Sequence, residues 1–154
     1  DAYCFYNNDN TTDYGALYTY AAAIGDNWVN DNAANQGVCP DGWHLPTDAE
    51  WTELTDYLGG TSVAGGKMKE TGTTHWTGPN TGATNESGFL ALPGGHRDDS
   101  NGASDSAGNA GFWWSATESS STDAGRRGLF NDNAEVYPFW ENKSNGFSVR
   151  CVRD

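Results

Sequence analysis

Apolar positions along this chain change period several times, and each change marks an element. In CPDGWHLPTDAEWTELTDYLGG, from Cys39 to Gly60, Trp51, Leu54 and Leu58 recur at i, i+3 and i+7, while Asp48, Glu53 and Asp56 take the wet side. That pattern predicts an amphipathic helix over residues 48–58. Thr47, with Glu50 three residues on, supplies a capping box, and Gly59-Gly60 a left-handed stop. In the C-terminal GFSVRCVRD, Phe147, Val149 and Cys151 alternate with Ser148, Arg150 and Val152, which is the period of a strand. A short strand is expected over residues 3–6, and residues 17–24 begin as a strand and wind into a short helix over the alanines. Residues 25–37 read as a polar insertion, and Trp76 as an inward plug. The main sheet is expected from residues 89–92, 112–117, 129–131, 136–139 and 147–152. These elements make a single α+β domain over residues 1–154, with mostly antiparallel short strands, one or two helices and long loops on one side.

Composition narrows the class. A chain of 154 residues buries roughly 70% of its unfolded surface, enough for one core. Its mean hydropathy is −0.72, yet it holds seven Trp, seven Tyr and six Phe, so aromatic rings must supply much of the core and some of the surface. Twenty glycines suit a loop-rich fold. No apolar run is long enough to predict a transmembrane span. A net charge of −13, with only eight Lys and Arg scattered along the chain, excludes nucleic acid as a partner and disfavours anionic membranes and polysaccharides. Three cysteines suggest an oxidising compartment and leave one thiol over.

Four segments carry a resemblance: the Cys39–Gly60 stretch, NTGATNESGFLALPGG from Asn80, GFWWSATES from Gly111 and the terminal GFSVRCVRD. In this order, together with the N-terminal AYCFYNND and YGALYTY, they closely resemble the Fibrobacter succinogenes major paralogous domain family. The resemblance covers essentially the whole chain. It implies a C-type lectin-like fold, distantly similar to the formylglycine-generating enzymes. It also implies a Cys39–Cys151 disulfide tying the first helix region to the last strand, with Cys4 left free or paired upstream. The chain opens at Asp1 without a charged segment followed by an apolar one. Members of the family usually carry further N-terminal sequence, so the expectation is a processed part of a larger exported protein, extracellular or at the cell surface.

The best-known chemistry of that fold is calcium-dependent sugar binding, which needs carboxylate and amide oxygens converging on one cation. Gly78-Pro79-Asn80 and Trp140-Glu141-Asn142 look similar to the sugar-binding motifs without matching them, since the first lacks a carboxylate before the proline and the second reverses acid and amide. The loop DDSNGASD offers Asp98, Asp99, Asn101 and Asp105, so Ca²⁺ is the one cofactor the sequence allows. Catalysis is not expected. The enzymes of the fold need a pair of cysteines near the C-terminus, and only Cys151 is there. His44, His75 and His96 fall in separate motifs, and His44 beside the helix cap suits a structural hydrogen bond.

What remains is a binding face. Asp98, Asp99, Arg126, Phe130, Asp132, Glu135, Phe139, Trp140 and Glu141 are the candidate ligand-binding residues, because aromatic and arginine side chains crowd there outside strict core patterning. Pro138-Phe139-Trp140 cannot be buried whole, as successive side chains on a strand point to opposite faces. The family resemblance places the ligand surface in these C-terminal loops and includes members whose C-terminal region is rewritten by diversity-generating retroelements. The asparagines Asn131, Asn133, Asn142 and Asn145 are compatible with that. The expected function is therefore a non-catalytic extracellular recognition or adhesion module binding a protein or glycan. A structural subunit of a surface appendage or fibre, with self-association, is the alternative.

Overall fold

The structure, a computed structural model, describes residues 2–25 and 36–154. Most of the insertion expected at residues 25–37 lies outside the described residues. Its centre is a three-stranded antiparallel sheet in the order β6-β7-β8, formed by β6 (Ala110–Glu118), β7 (Asp123–Phe130) and β8 (Tyr137–Asn142). Three two-stranded pairs surround it. They are β1 (Tyr3–Phe5) with β2 (Ala16–Tyr18), β3 (Trp43–His44) with β9 (Val152–Arg153), and β4 (His96–Arg97) with β5 (Ser104–Asp105). The α-helices are α1 (Tyr20–Ile24), α2 (Asp48–Tyr57) and α3 (Thr61–Met68). The architecture is α+β with short antiparallel strands.

Both faces of the central sheet are covered, so β6 reads as an almost unbroken buried run, AGFWWSA. Trp114, Arg126 and Phe139 are register partners and share one face, as do Phe112, Gly128 and Tyr137. That face packs with Tyr20, Ala23, Leu45 and Phe147. Trp113 and Leu129 point the other way, into a core with Trp51, Leu58, Met68, Trp76 and Phe89.

Helix α2 forms as its sequence dictates. Thr47 Oγ1 accepts from the Glu50 amide, the Glu50 carboxylate accepts from the Thr47 amide at 2.8 Å, and Gly60 N–H closes the far end on Thr55 O at 2.9 Å. Trp51 and Leu58 are buried, with Leu54 packed beside them. The helix the sequence did not announce is α3, which starts directly after Gly60 and carries Gly65-Gly66 in its interior. Those glycines are there for packing, since a Cβ at Gly65 would sit 2.1 Å from Glu135 O and one at Gly66 2.3 Å from Gly82 O. Backbone lies against backbone here, and the helix tolerates poor propensity to achieve it.

Two strands expected in the main sheet do not form there. Residues 147–152 are split between a Phe147–Tyr18 bridge, a Ser148–Trp113 bridge and the β9 pairing of Val152, and residues 89–92 keep one bridge to Lys69. Ser148 pairs with β6, donating to Phe112 O and accepting from Trp114 N–H. Trp51 Nε1 then claims Trp114 O, and Ala116 N–H turns to Pro46 O, so the ladder cannot continue through residues 149–151. Residues 89–92 contribute only the Lys69–Ala91 bridge, because Leu90 takes a left-handed conformation and Trp76 Nε1 binds Ala91 O. The Cys39–Cys151 disulfide is formed, across 112 residues, while Cys4 is unbonded. Lys69, 1% exposed, donates to Thr81 O, Phe130 O and Asn133 O, and burial pulls its pKa down to about 8.

Candidate ligand-binding site

Strand β7 places Arg126 on the face it shares with Phe112 and Phe139. The neighbouring strand brings Glu141 diagonally across, where its carboxylate accepts from the Arg126 guanidinium at 3.2 Å. The guanidinium lies over three phenyl rings, 4.6 Å from the centroid of Phe112, 5.2 Å from Phe139 and 5.6 Å from Phe147. Its side chain is only 12% exposed. Burial depresses the Arg126 pKa, and Glu141 works against that.

A loop from β4 closes the other side. Asp98 O accepts from Gly102 N–H, Asp98 Oδ1 from Ser100 N–H and the Ser100 hydroxyl, and Asn101 Oδ1 from Ala103 N–H. Asn145 pins the loop by accepting from Asp99 N–H at 3.0 Å, and Gly146 and Arg97 exchange backbone hydrogen bonds beneath it. Between this loop and the arginine lies a cavity of about 220 Å³, lined by His96, Asp98, Asp99, Ser100, Arg126, Glu141 and Asn145 with Phe112 and Phe147. Two buried polar atoms in its wall, Arg126 Nη1 and His96 Nδ1, have no hydrogen-bond partner. Orphaned buried polar atoms of this kind cost about 1–3 kcal/mol each.

The cavity therefore gathers Asp98, Asp99, Arg126 and Glu141 from the sequence-derived set, with Phe139 flanking the guanidinium. It leaves the others apart. Phe130 is four positions further along β7 and stacks edge-on between Phe112 and Tyr137. Asp132 and Glu135 belong to the following turn, where Asp132 accepts from Asn133 and Glu135 engages the Tyr137 hydroxyl and raises its pKa. Trp140 is opposite Gly125 and hence on the other face of the sheet, above the glycine's vacant side-chain position. Phe139 and Trp140 are 50% and 51% exposed, as the alternation along β8 requires.

Sequence reasoning passed over His96, Phe112 and Phe147 as site residues, and Asn145 entered only among the asparagines compatible with diversification. His96 entered only as a histidine apart from any cluster, and the two phenylalanines only as residues of expected strands. The detectable signal was parity, since Phe112 and Trp114 alternate with Trp113 in a strand that carries three consecutive aromatics.

Among the described residues no group of three or more His, Cys, Asp or Glu side chains is placed to hold a metal ion. Glu141 is paired with Arg126, Asn142 Oδ1 accepts from Ser144 N–H, and Asn80 donates to Glu70 O and Gly72 O. His44 sits between two carboxylates, Asp154 and Glu50, each at 2.7 Å, and His75 bonds Glu70 at 2.8 Å. Burial disfavours a charge on His44, but the hydrogen bonds to Asp154 and Glu50 outweigh it and hold its pKa above the ordinary value.

Fold and cavity define a disulfide-tied α+β domain with a polar, aromatic-walled pocket beside its edge strand. The chain matches the Fibrobacter succinogenes major domain over residues 1–153 and belongs to that family. No curated protein and no solved structure matches it.

Proposed function

We propose that this domain is a non-catalytic extracellular recognition module of C-type lectin-like kind, taking a protein or glycan ligand into the Arg126 cavity. The observation that carries the reading is the buried guanidinium with one unpartnered nitrogen, held over Phe112, Phe139 and Phe147 in the wall of the pocket. A donor, several carboxylate acceptors and flat apolar walls in one place are what a small polar ligand group needs. The disulfide suits an extracellular setting, and no helix among the described residues is long and apolar enough to cross a membrane. A cation beside Glu141 would meet the Arg126 charge, so recognition is expected to be independent of calcium. Catalysis has no support in the histidines, of which His44 and His75 are held by carboxylates, nor in Cys151, which is bonded to Cys39.

Exposed Phe139 and Trp140 on the edge strand β8 favour a second reading, a structural subunit packing against its neighbours. Glycan and peptide arrays probed with the parent domain and with Arg126→Met, each in calcium and in EDTA, test the first. Hits that survive EDTA and vanish with the variant support it. Hits indifferent to Arg126 remove the cavity from the account, and concentration-dependent assembly with no hits moves the weight to the structural role.

A further inference from the structure

A second groove, sharing no lining residue with the Arg126 cavity, follows the C-terminal segment. Two cavities, of about 430 and 390 Å³, meet across Phe89, Arg150 and Cys151. The larger is mainly apolar, with Trp51, Leu54, Phe89 and Val152 in its walls and Tyr57, 86% exposed, beside them. Arg150 is fixed between the two, donating to Phe89 O at 2.8 Å with its guanidinium 4.4 Å from the Phe89 ring centroid.

The main chain along this groove is the unusual part. Ser148 is bonded to β6 and Val152 is paired with His44, but between them Val149, Arg150 and Cys151 make no backbone hydrogen bond among the described residues. All three line the cavities. An unpaired stretch of main chain beside an apolar hollow is the template for adding a strand from another polypeptide.

Charge selects the occupant. Glu53 in the wall of the larger cavity has no ion pair among the described residues, whereas Glu50 beside it is held by His44 and Thr47. Asp13 in the smaller cavity faces His75 at 3.4 Å, and the one basic residue in either wall, Arg150, is turned onto Phe89. A second copy of this chain would bring another −13 charge to a wall that is already acidic. A basic partner is complementary.

We propose that this groove docks an extended segment of a partner polypeptide. The segment hydrogen-bonds to the main chain at residues 149–151, sets an apolar side chain against Trp51, Leu54 and Phe89, and carries a lysine or arginine that meets Glu53. This surface is separate from the ligand cavity, so the domain can hold a partner and a ligand at once.

The test uses two labelled decapeptides of alternating leucine and threonine, one flanked by lysines and one by glutamates, titrated into the domain by fluorescence anisotropy. The lysine peptide should bind at least about tenfold more tightly, a difference that salt reduces. Glu53→Lys should erase that preference, and Leu54→Glu should abolish binding. Arg126→Met should leave it unchanged. Hydrogen exchange at the amides of residues 149–151 should slow in the complex. Equal binding of the two peptides, binding indifferent to Leu54→Glu, or no binding of either overturns the proposal. So does a parent domain that dimerises and becomes monomeric with Leu54→Glu, which would assign the groove to a second copy.

Discussion

Arg126→Met separates a residue kept for binding from one kept for folding. The substitution removes the ion pair with Glu141, a partly exposed carboxylate, worth about 0–1 kcal/mol. It also removes the cation–π attraction of one desolvated guanidinium to the phenyl rings around it, worth about 2 kcal/mol. Against this it relieves the buried orphan Nη1, about 1–3 kcal/mol, and a thioether regains about 0.3–1.5 kcal/mol against the same rings. The terms nearly cancel, and Glu141, its side chain 38% exposed, stays solvated when its partner goes, so the variant leaves no uncompensated buried charge. Stability should therefore stay within about 1.5 kcal/mol of the parent, a shift in Tm of roughly 3–6 °C at most. Urea unfolding and calorimetry measure it, alongside array binding, which should be lost. A loss of about 3 kcal/mol or more would mean that the arginine is a structural post, and that its burial says nothing about a ligand.

Three further outcomes follow from the fold. Trp51→Ala should cost about 3–5 kcal/mol in urea unfolding, because Trp51 is 2% exposed, packs on Phe89 and donates to Trp114 O; a variant as stable as the parent would refute the helix-face assignment. Replacing Cys39 and Cys151 by serine should cost up to about 4–5 kcal/mol in the chain-entropy description of a loop spanning 112 residues, and a loss under about 1 kcal/mol would contradict it. His44 has a folded-state pKa above its unfolded value of about 6.5. Its contribution is thus full below about pH 6.5 and is lost as pH rises through the higher folded value, so His44→Gln should flatten the stability profile on that side, read from Tm across pH 5–9.

Helix α2 was legible because everything that specifies it is local: the Thr47–Glu50 box, the Trp51–Leu54–Leu58 stripe and the glycine stop. Helix α3 was not, since Gly65 and Gly66 look like breakers until Glu135 and Gly82 are seen against them. The family resemblance carried the disulfide pairing, which no spacing could have settled. For the site, residue type picked out Arg126, Glu141, Asp98 and Asp99, but adjacency in sequence also drew in Trp140. Alternation along β8 sends Trp140 to the opposite face, and the partners that complete the pocket, His96, Phe112 and Phe147, come from segments that only the tertiary fold brings together.

The most direct test of the central claim is an NMR titration of the ¹⁵N-labelled domain with the array member that binds it most strongly. Occupation of the Arg126 cavity predicts the largest shifts at the Arg126 side-chain Nε–H and at the amides of Phe139, Glu141 and residues 98–100. Shifts confined to the Trp140 face or to residues 149–152, with the Arg126 signals unmoved, would contradict it.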